Sequence, residues 1–127
     1  MLHKSFSKTI TVSKEQLANQ VGSGQVSVFA TPMMIALIEQ TASECIQPYL
    51  EEGQTSVGTF LSVSHCAATP EGMAVTAQVE VVEINGREVT FQVRADDEAG
   101  MIGEGTHKRF IVSREKFELK AQNKAKK

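Results

Sequence analysis

Three side chains in this sequence have the right chemistry and context for a reactive site. His65 ends the run Val57-Gly58-Thr59-Phe60-Leu61-Ser62-Val63-Ser64-His65. Alternation predicts a strand with Val57, Leu61, Val63 and His65 on one face and Ser62 and Ser64 on the other. A histidine on an apolar face is partly desolvated and titrates near neutrality, which suits acid–base work. Glu39 flanks the apolar stripe of the one long helical pattern, and Thr31 stands at its start. Each has a plainer explanation: a core histidine with satisfied nitrogens, a carboxylate reaching solvent, and a helix cap. Together they form a candidate constellation.

The elements that must position these residues follow from the pattern. Residues 4–12 alternate as a first strand, with Phe6, Ile10 and Val12 on one side. Residues 13–20 form a short helical turn, with Ser13 and Gln16 spaced as a capping box, and 21–25 read as a glycine-containing loop. A long helix is predicted over 32–51, with Thr31 as N-cap and Pro32 as first helical residue. Its apolar stripe is Ile35, Ile38, Ala42, Cys45, Ile46 and Tyr49, and Gln40, Glu44, Gln47 and Glu51 are wet. Pro48 disturbs the last turn and Gly53 ends the element.

Strands follow at about 55–68, 72–84, 87–96 and 101–113, separated by Thr69-Pro70-Glu71-Gly72, Asn85-Gly86 and Asp96-Asp97-Glu98-Ala99-Gly100. Such short connections predict antiparallel neighbours. One detail conflicts. Met73, Val75, Ala77, Val79 and Val81 share odd parity with Val89, Phe91, Val93 and Ala95, whereas a two-residue hairpin at Asn85-Gly86 pairs residues of opposite parity. Either a three-residue loop with left-handed Gly86 or a bulge near Val81-Val82 is required. The order strand, long helix, four strands is an α+β pattern. It predicts a hot-dog fold, a long central helix packed on a curved antiparallel β-sheet.

The chain has 127 residues, the size of one domain. We expect a single domain over 1–120 and a basic C-terminal tail over 121–127, its lysines fraying into solvent or attracting a phosphate-bearing ligand. A net charge of −2 argues against nucleic acid as a partner. Cys45 and Cys66 lack metal-ligand spacing and read as free thiols of a reducing compartment. No apolar segment has the length to span a membrane, and Met1–Phe6 lacks a signal-peptide run. The expectation is a cytoplasmic protein without membrane partner, metal site, nucleotide fingerprint or serine-nucleophile elbow.

Three stretches resemble a known family. They are Val28-Phe29-Ala30-Thr31-Pro32-Met33-Met34-Ile35-Ala36-Leu37-Ile38-Glu39, Val57-Gly58-Thr59 through His65-Cys66-Ala67-Ala68-Thr69-Pro70, and Ile102-Gly103-Glu104-Gly105-Thr106-His107-Lys108-Arg109. They resemble the hot-dog-fold acyl-CoA thioesterases of the fluoroacetyl-CoA thioesterase family, over about Val28 to Phe117. The resemblance implies hydrolysis of an acyl-CoA thioester, with Thr31, Glu39 and His65 as catalytic residues and Gly58 and Arg109 in the substrate pocket. Glu39 would serve as general base or as nucleophile. Six residues before the threonine, the fluoroacetyl-specific enzyme carries a phenylalanine lid; Gln25 stands there in this chain.

The resemblance further implies a two-fold dimer, with a dimer of dimers as the larger possibility, and a site near the interface. The acyl group is expected to be short. Coenzyme A enters as part of the substrate, with no separate cofactor, and its phosphates are expected to meet Arg114, Lys116 or Lys120. His107 reads as structural, and Gly58 by itself reads as a bulge or a place of close backbone approach. Two alternatives stand beside hydrolysis: a non-catalytic acyl-CoA binding module, and a hydratase or dehydratase acting on an acyl thioester.

Overall fold

The computed structural model describes residues 1–125; Lys126 and Lys127, part of the expected tail, lie outside the described residues. Five strands form one antiparallel sheet: β1 (Ser5–Thr11), β2 (Gln54–Val63), β3 (Ala74–Asn85), β4 (Glu88–Asp97) and β5 (Gly100–Ser113). Their order is β1-β3-β4-β5-β2, so β1 and β2 are the edges. Between β1 and β2 lie a 3-10 turn (Lys14–Gln16), a short α1 (Ala18–Val21), the long α2 (Thr31–Ile46) and a second 3-10 turn (Gln47–Tyr49). The Ser13 N–H donates to Gln16 Oε1 at 2.9 Å, as the capping-box spacing predicts.

The core is one cluster. Met34, Leu37, Ile38, Ala42, Cys45 and Ile46 of α2 pack against Val75, Ala77, Val79, Val81, Val89, Phe91, Val93, Ala95 and Ile102 of the sheet. Every one of these is essentially excluded from water, which is the main source of stabilisation in a domain this size. The parity conflict is resolved by the bulge: Val81 pairs with Phe91 and Glu83 with Thr90, leaving Val82 extra. A two-residue turn with Gly86 at φ 64° then closes the hairpin.

Four expectations need correction. Thr31 is not the N-cap of α2; Ala30 is, and Met33 and Met34 both donate to its carbonyl at 3.0 Å. Tyr49 is not in the stripe but 48% exposed, because α2 ends at Ile46 and the 3-10 turn around Pro48 breaks the 100° phase. Met34 and Leu37 are buried in its stead.

In β2, Gly58 pairs with Arg109 and Phe60 with Lys108, so Thr59 is an inserted residue. Val57, opposite Phe110, is therefore on the outer face, while Leu61 and Val63 turn inward opposite His107 and Gly105. His65 follows the strand rather than ending it, since β2 stops at Val63. A further helix, α3 (Arg114–Asn123), continues directly from β5. Its residues are good helix formers with no buried face, so periodicity did not reveal it.

Candidate functional site

Thr31 and His65 meet. Thr31 Oγ1 lies 2.7 Å from His65 Nδ1, joining the first residue of α2 to the segment that leaves β2. A threonine at this position is available because the helix is capped by the Ala30 backbone rather than by its hydroxyl. Pro32 has no N–H, and Met33 and Met34 turn back to Ala30. Among the described residues the Thr31 N–H is the free donor at this end, one rather than the several an ideal helix start would offer.

His65 is half-buried, and burial pushes its imidazole below the ordinary histidine value, opposed by a weaker backbone interaction with Ala67. It is therefore neutral at pH 7. Its second nitrogen, Nε2, is buried and has no hydrogen-bond partner among the described residues. An orphaned imidazole nitrogen beside a bonded hydroxyl can accept or donate a proton at a bound molecule. Thr31 and His65 share a cavity of about 360 Å³ with Val26, Val28, Phe29 and Cys66. Gln25 is exposed and is not part of the cavity wall.

Glu39 is not with them. It lies eight residues along α2, about 12 Å by helical rise. There it is half-buried beside Gly58, His107 and Arg109. Gly58 makes this packing possible: a Cβ there would sit 2.6 Å from Glu39 Oε2 and 3.2 Å from His107 Cε1. The glycine thus serves both as the start of a bulge and as a point of close approach.

Arg109 is 6% exposed, and its guanidinium is locked. Its Nε donates to Ser56 Oγ at 2.8 Å, Nη2 to the Ser56 carbonyl at 2.9 Å, and Nη1 reaches His107 Nε2 at 3.2 Å. The 2.9 Å contact of His107 Nδ1 with the Phe60 carbonyl requires the proton on Nδ1. Nε2 is then the acceptor for Arg109. Burial lowers the pKa of both Arg109 and His107, and the Glu39 charge acts against that on each. His107 also stacks on Phe91, with centroids 5.9 Å apart. Sequence reasoning passed over Ser56 as a site residue and read His107 as structural. The parity shared by His107 and Arg109 was the available signal.

Arg114, Lys116 and Lys120 lie on exposed α3 and line no common cavity with Thr31 and His65. α3 starts where Ser113 pairs with Gln54, at the opposite end of β2 from His65, about 30 Å along the strand. No cluster of three or more metal-binding side chains occurs among the described residues. No described helix is long and apolar enough to cross a membrane.

Comparison with known proteins gives a consistent picture. The sequence model described as fluoroacetyl-CoA-specific thioesterase matches residues 12–115. The fluoroacetyl-CoA thioesterase of Streptantibioticus cattleyicolor is 42% identical over 97 residues, which is 76% of this chain and 70% of that protein. A solved structure of a fluoroacetyl-CoA thioesterase superposes with a TM-score of 0.93 at 33% identity, covering 98% of this chain and 97% of the other. A thioesterase superfamily member from Thermus thermophilus gives 0.88 at 26% identity, covering 97% and 91%. The hot-dog architecture expected from the element order is the one these structures share.

Proposed function

The chain belongs to the fluoroacetyl-CoA-specific thioesterase family, and from that membership we propose that it hydrolyses a short-chain acyl-CoA. The observation that carries the reading is the Thr31–His65 bond, with a neutral imidazole whose Nε2 is unpartnered among the described residues. Hydrolysis adds water across the acyl carbon–sulfur bond and releases a carboxylic acid and the thiol of coenzyme A. His65 carries the proton between the attacking oxygen and the departing sulfur. The Thr31 N–H and hydroxyl are the donors available to the thioester oxygen. The tight quarters around Gly58 support a small acyl group.

Glu39 completes this site from a second copy of the chain. β2 is an open edge, and its exposed large apolar pair is Phe60 and Leu61. An antiparallel two-fold pairing centred on those two residues sets Gly58 of one copy beside Val63 of the other. That brings Glu39, which packs on Gly58, toward the other copy's His65. The same pairing sets Gln54, and with it the start of α3, beside the other copy's Ala67. Arg114, Lys116 and Lys120 then lie where the phosphates of coenzyme A can meet them. Arg109, held by Ser56 and His107, lines the acyl end of the pocket with Gly58. The free thiols of Cys45 and Cys66 support a cytoplasmic location.

The test is thiol release from a panel of acyl-CoAs of increasing chain length, with the His65→Ala protein alongside. Release by the parent from the short members, lost in the variant, is expected. Coenzyme A binding without release from any thioester would replace this reading with a binding module.

A further inference from the structure

The position of His65 is not set by a regular element. β2 has ended at Val63, and two bonds to β5 follow, Ser64 N–H to the Glu104 carbonyl at 2.9 Å and Cys66 N–H to the Ile102 carbonyl at 2.7 Å. Beyond Cys66 the chain leaves the sheet, and Thr69 re-anchors it. Thr69 is fully buried. Its carbonyl accepts the Phe29 N–H at 2.8 Å, two residues before Thr31. Its hydroxyl donates to Asp97 Oδ2 at 2.8 Å.

These bonds close a ring. Residues 29–31 form one side and 65–69 the other; the Thr31–His65 bond joins them at one end and the Phe29–Thr69 bond at the other. The far end of the ring is pinned to the β4–β5 turn through Asp97. That turn has its own use for Asp97: Oδ1 accepts the Ala99 N–H at 2.8 Å and the Gly100 N–H at 3.1 Å, as an aspartate does in a tight turn. The turn needs only that one oxygen. Oδ2 is committed to a residue 28 positions away. Neither Thr69 nor Asp97 lines the cavity that holds Thr31 and His65.

We propose that Thr69 and Asp97 are positioning residues, a clasp on the β4–β5 turn that holds His65 against Thr31 in reacting geometry. The proposal rests on the catalytic reading of that pair. A catalytic group misplaced by about 1 Å costs about 100-fold in rate, and an irregular segment holds such tolerance only through tethers of this kind.

The experiment uses full-length protein and two readouts: the ¹⁵N and ¹H resonances of the His65 imidazole, assigned by their loss in His65→Ala, and kcat and KM for acetyl-CoA. Thr69→Val keeps the side-chain shape and removes the donor. It is expected to abolish the Nδ1 hydrogen-bond signature and to lower kcat about 10- to 100-fold, with KM little changed. Thr69→Ser, which restores the hydroxyl, should recover both. Asp97→Asn tests the clasp from its other side should Thr69→Val not fold. A folded Thr69→Val protein with the parent's imidazole signature and kcat overturns the proposal, even if its melting temperature has dropped. If His65→Ala hydrolyses acetyl-CoA as the parent does, the catalytic reading fails instead, and the imidazole spectrum still decides whether the clasp positions the ring.

Discussion

His107 Nε2 and Arg109 Nη1 lie 3.2 Å apart in a nearly dry interior, a neutral imidazole accepting from a guanidinium two residues away on β5. The arrangement holds only while His107 stays unprotonated, because a second cation beside Arg109 would be uncompensated. Both residues face Glu39, so this cluster ties the sheet to the middle of α2.

The first prediction concerns pH. In the folded protein the pKa values of His107 and His65 are both lowered, chiefly by burial. The unfolded chain therefore binds more protons than the folded one once pH falls below the ordinary histidine value of about 6.5. Stability is fully present above that pH and is lost as pH falls through it toward the folded-state values. Urea midpoints measured between pH 7.5 and 5.5 should decline, and His107→Asn should flatten part of the slope. A parent midpoint that is constant across this window contradicts the neutral-imidazole assignment.

Replacing the bonded hydroxyl gives a second. Thr31→Val removes the partner of His65 Nδ1 without disturbing the cap, which is the Ala30 carbonyl. The melting temperature should stay near that of the parent while kcat falls by about 10²-fold or more. Thermal melting and thiol-release kinetics on the same preparations check it; a large drop in stability would mean that the hydroxyl is structural after all.

Gly58→Ala supplies a third. The added methyl meets the Glu39 carboxylate, the movable end of a flexible side chain, and the less movable His107 ring. Overpacking of this kind costs about 1–3 kcal/mol. Displacement of Glu39 should make the loss of activity larger than the loss of stability suggests. Equal, small effects on both would show that Glu39 tolerates displacement and lies outside the chemistry.

The exposed edge gives a fourth. Phe60→Asp places a charge at the centre of the proposed two-fold pairing, on a side chain that is 48% exposed in the single chain. Sedimentation should shift from dimer to monomer, and hydrolysis should fall with it. A monomeric variant with full activity would show that one copy holds a complete site.

The residues show where legibility began and ended. The odd-parity stripes of β3 and β4 are readable because both strands are buried on one face, and their parity conflict requires either a three-residue loop or a bulge near Val81-Val82, of which the fold adopts the bulge. The bulge at Thr59 left no such trace. β2 is an edge with little buried surface, so its alternation is weak and Val57 was assigned to the wrong face. Likewise α3 has helix formers but no apolar stripe, and periodicity is silent about such a helix.

The sequence by itself determined the order of elements from β1 to β5, the core faces of β3 and β4, and the identities of Thr31, Glu39, His65, Gly58 and Arg109 as the residues to examine. These follow from local periodicity, turn chemistry and recognisable stretches, all of which are properties of neighbours along the chain. Only the tertiary structure decided that Thr31 bonds His65, that Glu39 joins Arg109 and His107 instead, and that Thr69 reaches Asp97. Those pairings depend on where an inserted residue re-phases a strand and on how far apart a helix carries two of its own side chains. Such distances across the fold are invisible to any pattern read along it.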